Sequence, residues 1–396
     1  MGNLLMVESW VGAMSALLPR AIHEAGHDFT LITRDLHHYV RRGTGGAHPL
    51  LSARHILHEE TNDLGSLLPW LDRVLEALEF DGVITSCDYY LPAVAQIAER
   101  YGLPGPRRSR PVCTRTRQGL RSQPPGYRAR RSARPRAGML VRRVDDDAGL
   151  RAVYDVLASS TTNSRQQPRR PIVLLEELLT GPEVSIESVT IGASTHVVGV
   201  TDKSVVGENS FVETGHMFPA GLDQAQVAEL TEFTRAAVAA VGLTDCVSHL
   251  EVKLTSAGPR IVELNPRPGG NRISELVRRV TGIDLALVHA QLAAGEVPDL
   301  APRETGLRSA AVQMLLPPGA GTVSEVRGAA SLNRPEVVES VLPDLGTRAQ
   351  APDDNNCYVG RVMVVDATGG GARGLAEQLA DGLEVVIESD PVEGVA

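Results

Sequence analysis

Glu251, Glu263 and Asn265 are the residues whose types and spacing point most directly to chemistry. They lie in the stretch VSHLEVKLTSAGPRIVELNPRPGGNR, residues 247–272. Alternation of apolar and polar residues about 250–254 and 261–264 predicts a β-hairpin with its turn at 255–259. On strands of period two, Glu263 and Asn265 share a face, and Glu251 on the partner strand can look onto it. Two carboxylates and an amide oxygen about one point suit a hard cation such as Mg²⁺. A surface hairpin with solvated charges is the plain alternative, and this stretch alone does not choose between them.

A second motif tips the balance. Residues 171–187 read PIVLLEELLTGPEVSIE: an apolar strand runs into Glu176, Glu177 and Leu178, a Thr-Gly-Pro turn follows, and an alternating strand begins at Glu183. The two motifs in this order resemble the ATP-grasp superfamily, in particular its amino-acid and peptide ligases. The resemblance covers roughly 139–300 well and the flanks loosely. It implies a mixed α/β (α+β) fold that clamps ATP between two subdomains. It also implies that Glu176, Glu177 and Leu178 line an adenine pocket and that Glu183 bonds the ribose hydroxyls. Glu251, Glu263 and Asn265 would hold Mg²⁺, with Mn²⁺ as the substitute, and Arg267 would meet the γ-phosphate or an acyl phosphate.

The residues between and after these motifs suit that chemistry. In 265–272, NPRPGGNR, prolines stiffen the chain, glycines allow close backbone approach, and Arg267 and Arg272 offer bidentate anion contacts. Arg272 is suited to a substrate carboxylate; the plain reading is a Pro/Gly turn with solvated arginines. Lys203 is read as a phosphate or substrate contact, or as the exposed end of a strand. Lys253 and His249 share the face of Glu251. His216 falls in 211–219, read as a loop over the site. Both histidines are poor ligands for Mg²⁺, which prefers oxygen.

Composition narrows the class. The chain has 396 residues, 42% hydrophobic and 22% charged, enough for two or three domains of an ordinary globular protein. No apolar run of about 18 residues predicts a membrane span, and the N-terminus shows no secretory signal. Cys87, Cys113, Cys246 and Cys357 lack zinc spacing, and isolated thiols fit a reducing cytoplasm. A net charge of -9 argues against nucleic acid as a partner. The expected partners are a small-molecule carboxylate and an amine, with a homodimer as an open assembly.

Strand and helix alternate over 1–105, which predicts a Rossmann-like domain on a parallel sheet. It lacks a G-x-G-x-x-G loop, so no dinucleotide site is expected. Asp88 follows a strand's carboxyl end, where such sheets bind ligands; a helix-start role is the plainer one. Residues 139–300 hold the ATP-grasp motifs, and 301–396 predict a small β-rich C-terminal subdomain. Between them, 106–138 holds 11 arginines and no Lys, Asp or Glu. It occupies the place where the family puts a strand with a phosphate-binding lysine and a Gly-rich loop. A shifted reading frame is the most economical account, and a disordered basic tether is the expectation. Limited trypsin digestion should therefore cut first within 106–138. Uniform resistance there would count against both ideas.

The expected activity is ATP-dependent carboxylate–amine ligation on an amino acid or small peptide through an acyl phosphate. Biotin-carboxylase-like carboxylation is the second reading, and a nucleotide-binding protein without turnover is the third. The missing phosphate lysine predicts weak ATP binding by the chain as it stands.

Overall fold

The computed structural model describes residues 1–40, 47–105, 127–131, 141–169, 172–206, 212–352, 355 and 357–388. Four parallel strands open the chain: β1 (Asn3–Val7), β2 (Asp28–Thr33), β3 (His55–His58) and β4 (Gly82–Ile84), in the order β3-β2-β1-β4. Helices α1 (Met14–Glu24), α2 (His37–Val40), α3 (Leu64–Val74) and α4 (Leu91–Tyr101) connect and cover them. The central strand β1 is buried along its whole length, as expected for a parallel sheet covered on both faces. Asp63 caps α3, its side chain accepting from the Gly65 amide, which fixes where that helix starts.

A small sheet follows, made of β5 (Tyr127–Arg131), β6 (Val141–Val144) and β7 (Val173–Glu177), with α5 (Asp147–Ser159) beside it. The central strand β5 corrects the expectation of irregular chain throughout 106–138. Its backbone pairs antiparallel with β6 on one side and β7 on the other. Ladder pairing on two sides offsets the ordering cost that its composition alone could not. The remainder of 106–138 lies outside the described residues.

The large sheet is built from β8 (Glu183–Ile191), β9 (Ser194–Val206), β10 (Val212–Phe218), β11 (Cys246–Thr255) and β12 (Gly258–Asn265). Three strands of the C-terminal region extend it. Helices α6 (Gln224–Val241), α7 (Ile273–Thr281) and α8 (Leu285–Ala293) precede those strands. They are among β13 (Ser309–Leu315), β14 (Gly321–Arg327), β15 (Val337–Val341), β16 (Arg348–Ala349), β17 (Gly360–Asp366) and β18 (Glu384–Glu388), with α9 (Ala372–Asp381). The eight-stranded order is β12-β11-β8-β9-β10-β13-β17-β15, while β16-β14-β18 form a separate sheet. The region 301–396 therefore shares the large sheet instead of standing wholly apart. Residues 212–218, expected as part of a loop, form the strand β10, buried at every position. Burial on both faces removes the alternation that would have marked it.

The N-terminal sheet docks on α8. Ala286, Ala290 and Ala293 join the core formed by Leu4, Met6, Leu18 and Ile22. The approach is close at Gly82, where a Cβ would stand 1.7 Å from the Ala293 carbonyl oxygen. In the same seam, buried His289 meets the Thr85 carbonyl through Nε2 at 3.1 Å. Burial pushes its imidazole down to about 4 from 6.5. A folded pKa below the unfolded one gives stability that is complete above about 6.5 and lost as pH falls through about 4. The full shift corresponds to about 3 kcal/mol. Urea denaturation from pH 7 to 4 should show this loss, and His289→Gln should flatten that part of the profile. An equal slope in the variant would exclude His289 as its cause. Among the described residues no helix is long and apolar enough to cross a membrane.

Candidate active site

The hairpin β11–β12 pairs Glu251 with Glu263 and His249 with Asn265 across its strands. The turn at 256–257 is tight, and Thr255 Oγ1 donates to the Gly258 carbonyl at 2.7 Å. The proposed hard-cation ligands are thus neighbours in register, as the spacing predicts. Neighbouring strands extend the same face. Lys203 on β9 pairs with Glu183 on β8, and Glu183 with Lys253 on β11. Two residues along lie Thr201, Ser185 and Glu251; two further lie Gly199, Glu187 and His249. The period of two puts all of them on one side of the sheet.

Lys203 is the centre of this face. Its Nζ lies 2.8 Å from Glu183, 3.0 Å from Glu213 and 3.0 Å from Glu251. Lys253 also reaches Glu183, at 3.0 Å. Lys203 is buried, not the exposed end of a strand. Burial by itself would lower its pKa, but Glu213, Glu251 and Glu183 hold it well above the ordinary lysine value. The reverse applies to Glu251. Burial would raise it, yet Lys203 and His249 hold it down at about 2. Glu213, opposed by burial but next to Lys203 and His216, is also kept well below the carboxylate range.

His249 lies between two carboxylates, with Nδ1 2.5 Å from Glu187 and Nε2 3.2 Å from Glu251. Burial disfavours its charge, but those partners push its pKa up to about 10, so it is an imidazolium at neutral pH. Gly269 donates its backbone N–H to Glu187 at 3.2 Å, and a Cβ there would come within 3.0 Å of both Glu187 and His249. Glycine is needed at that position for the loop to approach the sheet.

The two arginines are placed by ion pairs, to Asp88 for Arg267 and to Glu275 and Glu339 for Arg272. Arg267 forms a bidentate pair with Asp88, Nε–Oδ1 at 2.5 Å and Nη2–Oδ2 at 2.8 Å. Asp88 follows β4, so the strand end singled out in the N-terminal domain does reach the site. Arg272 has φ of 71° at the start of α7. It binds Glu275 and lies 2.8 Å from Glu339, which also holds Arg361 Nε at 2.7 Å. Arg272 borders a cavity of about 260 Å³ with Trp10, Met14, Asn271, Met314 and Tyr358. Glu176 and Glu177 end β7 on the small sheet, and Leu178 follows them. They belong to a different sheet from the carboxylate face.

The donor types fit a hard cation: Glu251 and Glu263 face each other, and Asn265 lies two residues on. In this structure the cation beside Glu251 is the Lys203 ammonium. The described residues hold no cluster of three His, Cys, Asp or Glu arranged as a metal site. Ser185 Oγ and Thr201 Oγ1, buried on the same face, have no hydrogen-bond partner among the described residues. Orphaned buried hydroxyls beside carboxylates mark a place where a polar ligand is wanted. Glu187 and Glu213 were not foreseen. Glu187 could have been, because it follows Glu183 and Ser185 at period two.

Known proteins resemble the chain in sequence and in fold. The ATP-grasp N-terminal domain family matches residues 20–105, the ATP-grasp domain family 135–275, and the L-amino acid ligase C-terminal domain 2 family 313–388. Carnosine synthase 1 of Homo sapiens is 34% identical over 131 residues, 33% of this chain and 16% of that protein. Alanine–anticapsin ligase of Bacillus subtilis (strain 168) is 29% identical over 104 residues, 26% of this chain and 22% of that one. The chain thus spans less than a quarter of the length of either relative. The L-amino acid ligase structure from Bacillus licheniformis superposes with a TM-score of 0.75 at 20% identity, covering 98% of this chain and 99% of that one. The chain is a member of the ATP-grasp superfamily.

Proposed function

We propose that the protein is an ATP- and Mg²⁺-dependent carboxylate–amine ligase acting on an amino acid or small peptide. The observation that carries this is the register of Glu251 against Glu263, with Asn265 and Lys203 on the same face. The cavity bordered by Arg272 lies just beyond the Asn265–Gly269 segment. Glu251, Glu263 and Asn265 would hold the cation, which when bound neutralises phosphate charge. Lys203 would exchange a carboxylate for a phosphate oxygen as the nucleotide enters. Glu176, Glu177 and Leu178 are assigned to the adenine and Glu183 to the ribose.

The chemistry balances without a redox partner. A substrate carboxylate oxygen attacks the γ-phosphorus, ADP leaves, and an acyl phosphate forms. An amine then attacks the acyl carbon, phosphate leaves with one former carboxylate oxygen, and the amine loses a proton. The protein's task is positioning and charge neutralisation. Arg267, released from or shared with Asp88, is placed to meet the transferred phosphoryl group. Arg272 suits the body of the carboxylate substrate, whose apolar part would rest on Trp10, Met314 and Tyr358. A cytoplasmic setting, which supplies ATP and keeps thiols reduced, belongs to the same reading.

The test is ADP release against a panel of amino acids, alone and in pairs, with mass detection of the amide. ADP and amide in equal amounts are expected. ADP that depends on bicarbonate and needs no amine would favour carboxylation instead. Nucleotide binding without ADP under every condition would favour a binding protein.

A further inference from the structure

The carboxyl ends of the N-terminal parallel sheet, where such sheets take ligands, are bonded by a loop from elsewhere in the chain. This loop joins α5 to β7 and closes on itself through a bridge between Thr162 and Pro168. The Asn163 side-chain carbonyl accepts from the Arg165 and Gln167 amides at 2.8 and 3.0 Å. Gln166 turns the tip with φ of 61°. All four strand ends then meet the loop. Ser9, after β1, accepts from Arg165 Nη2 through its carbonyl. Arg34, after β2, donates to the Arg165 carbonyl at 3.2 Å and to Gln166 Oε1 at 3.1 Å. Asn62, after β3, donates to the Arg165 carbonyl at 2.9 Å. Tyr89, after β4, accepts from Gln167 Nε2 at 3.4 Å.

The crevice is also built for a cation. Glu8 is buried at the end of β1, bonded by Thr33 at 3.0 Å, Thr61 at 2.7 Å and the Tyr39 hydroxyl. A buried carboxylate of this kind needs a nearby positive charge. Arg165, 5% exposed and 157 positions away, interacts electrostatically with Glu8, with its guanidinium carbon 5.1 Å from the Tyr39 ring centroid. Cation–π contact and carbonyl bonding use the flat guanidinium in a way a lysine could not reproduce.

We propose that Arg165 is a positioning residue: its loop bonds to all four strand ends of the N-terminal sheet and so fixes the small sheet that carries Glu176 and Glu177. The N-terminal domain then serves as the anchor for the nucleotide side of the site. The nucleotide part of this statement rests on the ligase reading above; the anchoring part does not.

Hydrogen exchange of the full chain separates the two. In Arg165→Ala and in Arg34→Ala, amides of 147–159 and 173–177 should exchange at least about tenfold faster, the equivalent of losing one or two hydrogen bonds. Amides of 183–191 and 246–255 should be unchanged. Arg165→Ala leaves Glu8 buried without its cation and can unfold the first sheet, so Arg34→Ala, which keeps both charges, is decisive. ATP affinity by calorimetry should fall in Arg34→Ala while the affinity for an amino acid that binds the parent chain stays constant, a split that general destabilisation would not produce. Unchanged exchange in Arg34→Ala, or acceleration shared equally with 183–191, would overturn the anchor. Faster exchange with unchanged ATP affinity would keep the anchor and reject the nucleotide role.

Discussion

Lys203→Met should destabilise the fold by about 3–5 kcal/mol, the usual cost of removing one partner from a buried ion pair. Three carboxylates lie within 3.0 Å of its Nζ. After the change Lys253 still serves Glu183 and His249 still serves Glu251. Among the described residues, the Glu213 side chain keeps His216, at 3.3 Å, and the Asn271 amide, at 2.6 Å. The pH profile should change as well. Glu251 has a folded pKa of about 2 against 4.5 unfolded, so its contribution is complete above 4.5 and lost as pH falls through about 2. Without Lys203 the folded value rises, and that contribution shrinks at neutral pH. Urea denaturation of Lys203→Met, with Lys203→Arg as the charge-retaining control, checks this. A loss below about 1 kcal/mol, the range of exposed pairs, would mean that Lys203 is not the counter-ion of a buried cluster.

Glu263→Ala should remove Mg²⁺-dependent ATP turnover while leaving the melting temperature close to that of the parent chain. Glu263 is half-buried on β12, an edge strand of the large sheet, and so contributes little to the core. Its carboxylate faces Glu251 across the hairpin, and Asn265 beyond it brings no charge. Losing an outer partner of a metal ligand typically costs about 10–100-fold, and losing a ligand itself should exceed that. The comparison is best made both on this chain and on one whose 106–138 segment has been restored to the alternative frame, because the parent's turnover is expected to be low. Near-normal turnover by Glu263→Ala in either background would show that the cation is held elsewhere.

The parts of the site that could be read in the sequence are those set by local period. Glu251, Glu263 and Asn265 sit on a hairpin whose short turn fixes the register, so alternation alone places them together. The first parallel sheet was legible because apolar strands and helices alternate. The short β3 was not, since its residues are only partly buried and include His55 and His58. Lys203 could not be placed, because its three partners come from β8, β10 and β11, and no local pattern brings those strands together. Glu213 was hidden because β10 is buried on both faces and shows no alternation. Arg267 meets Asp88 across 179 positions, and Arg165 meets Ser9 across 156. Such pairs are products of domain docking, which follows from packed surfaces and not from spacing. The strand β5 was missed because its ladder partners, not its composition, order it.

The most direct test of the ligase reading follows one oxygen atom. A candidate amino acid labelled with ¹⁸O in both carboxylate oxygens is incubated with ATP, Mg²⁺, an amine and excess protein, and the released phosphate is analysed by mass. An acyl phosphate requires one carboxylate oxygen to leave with the phosphate. The expected result is one ¹⁸O per phosphate, in proportion to the amide formed. Phosphate released without label, or no phosphate from any amino acid with the segment restored, would contradict the account.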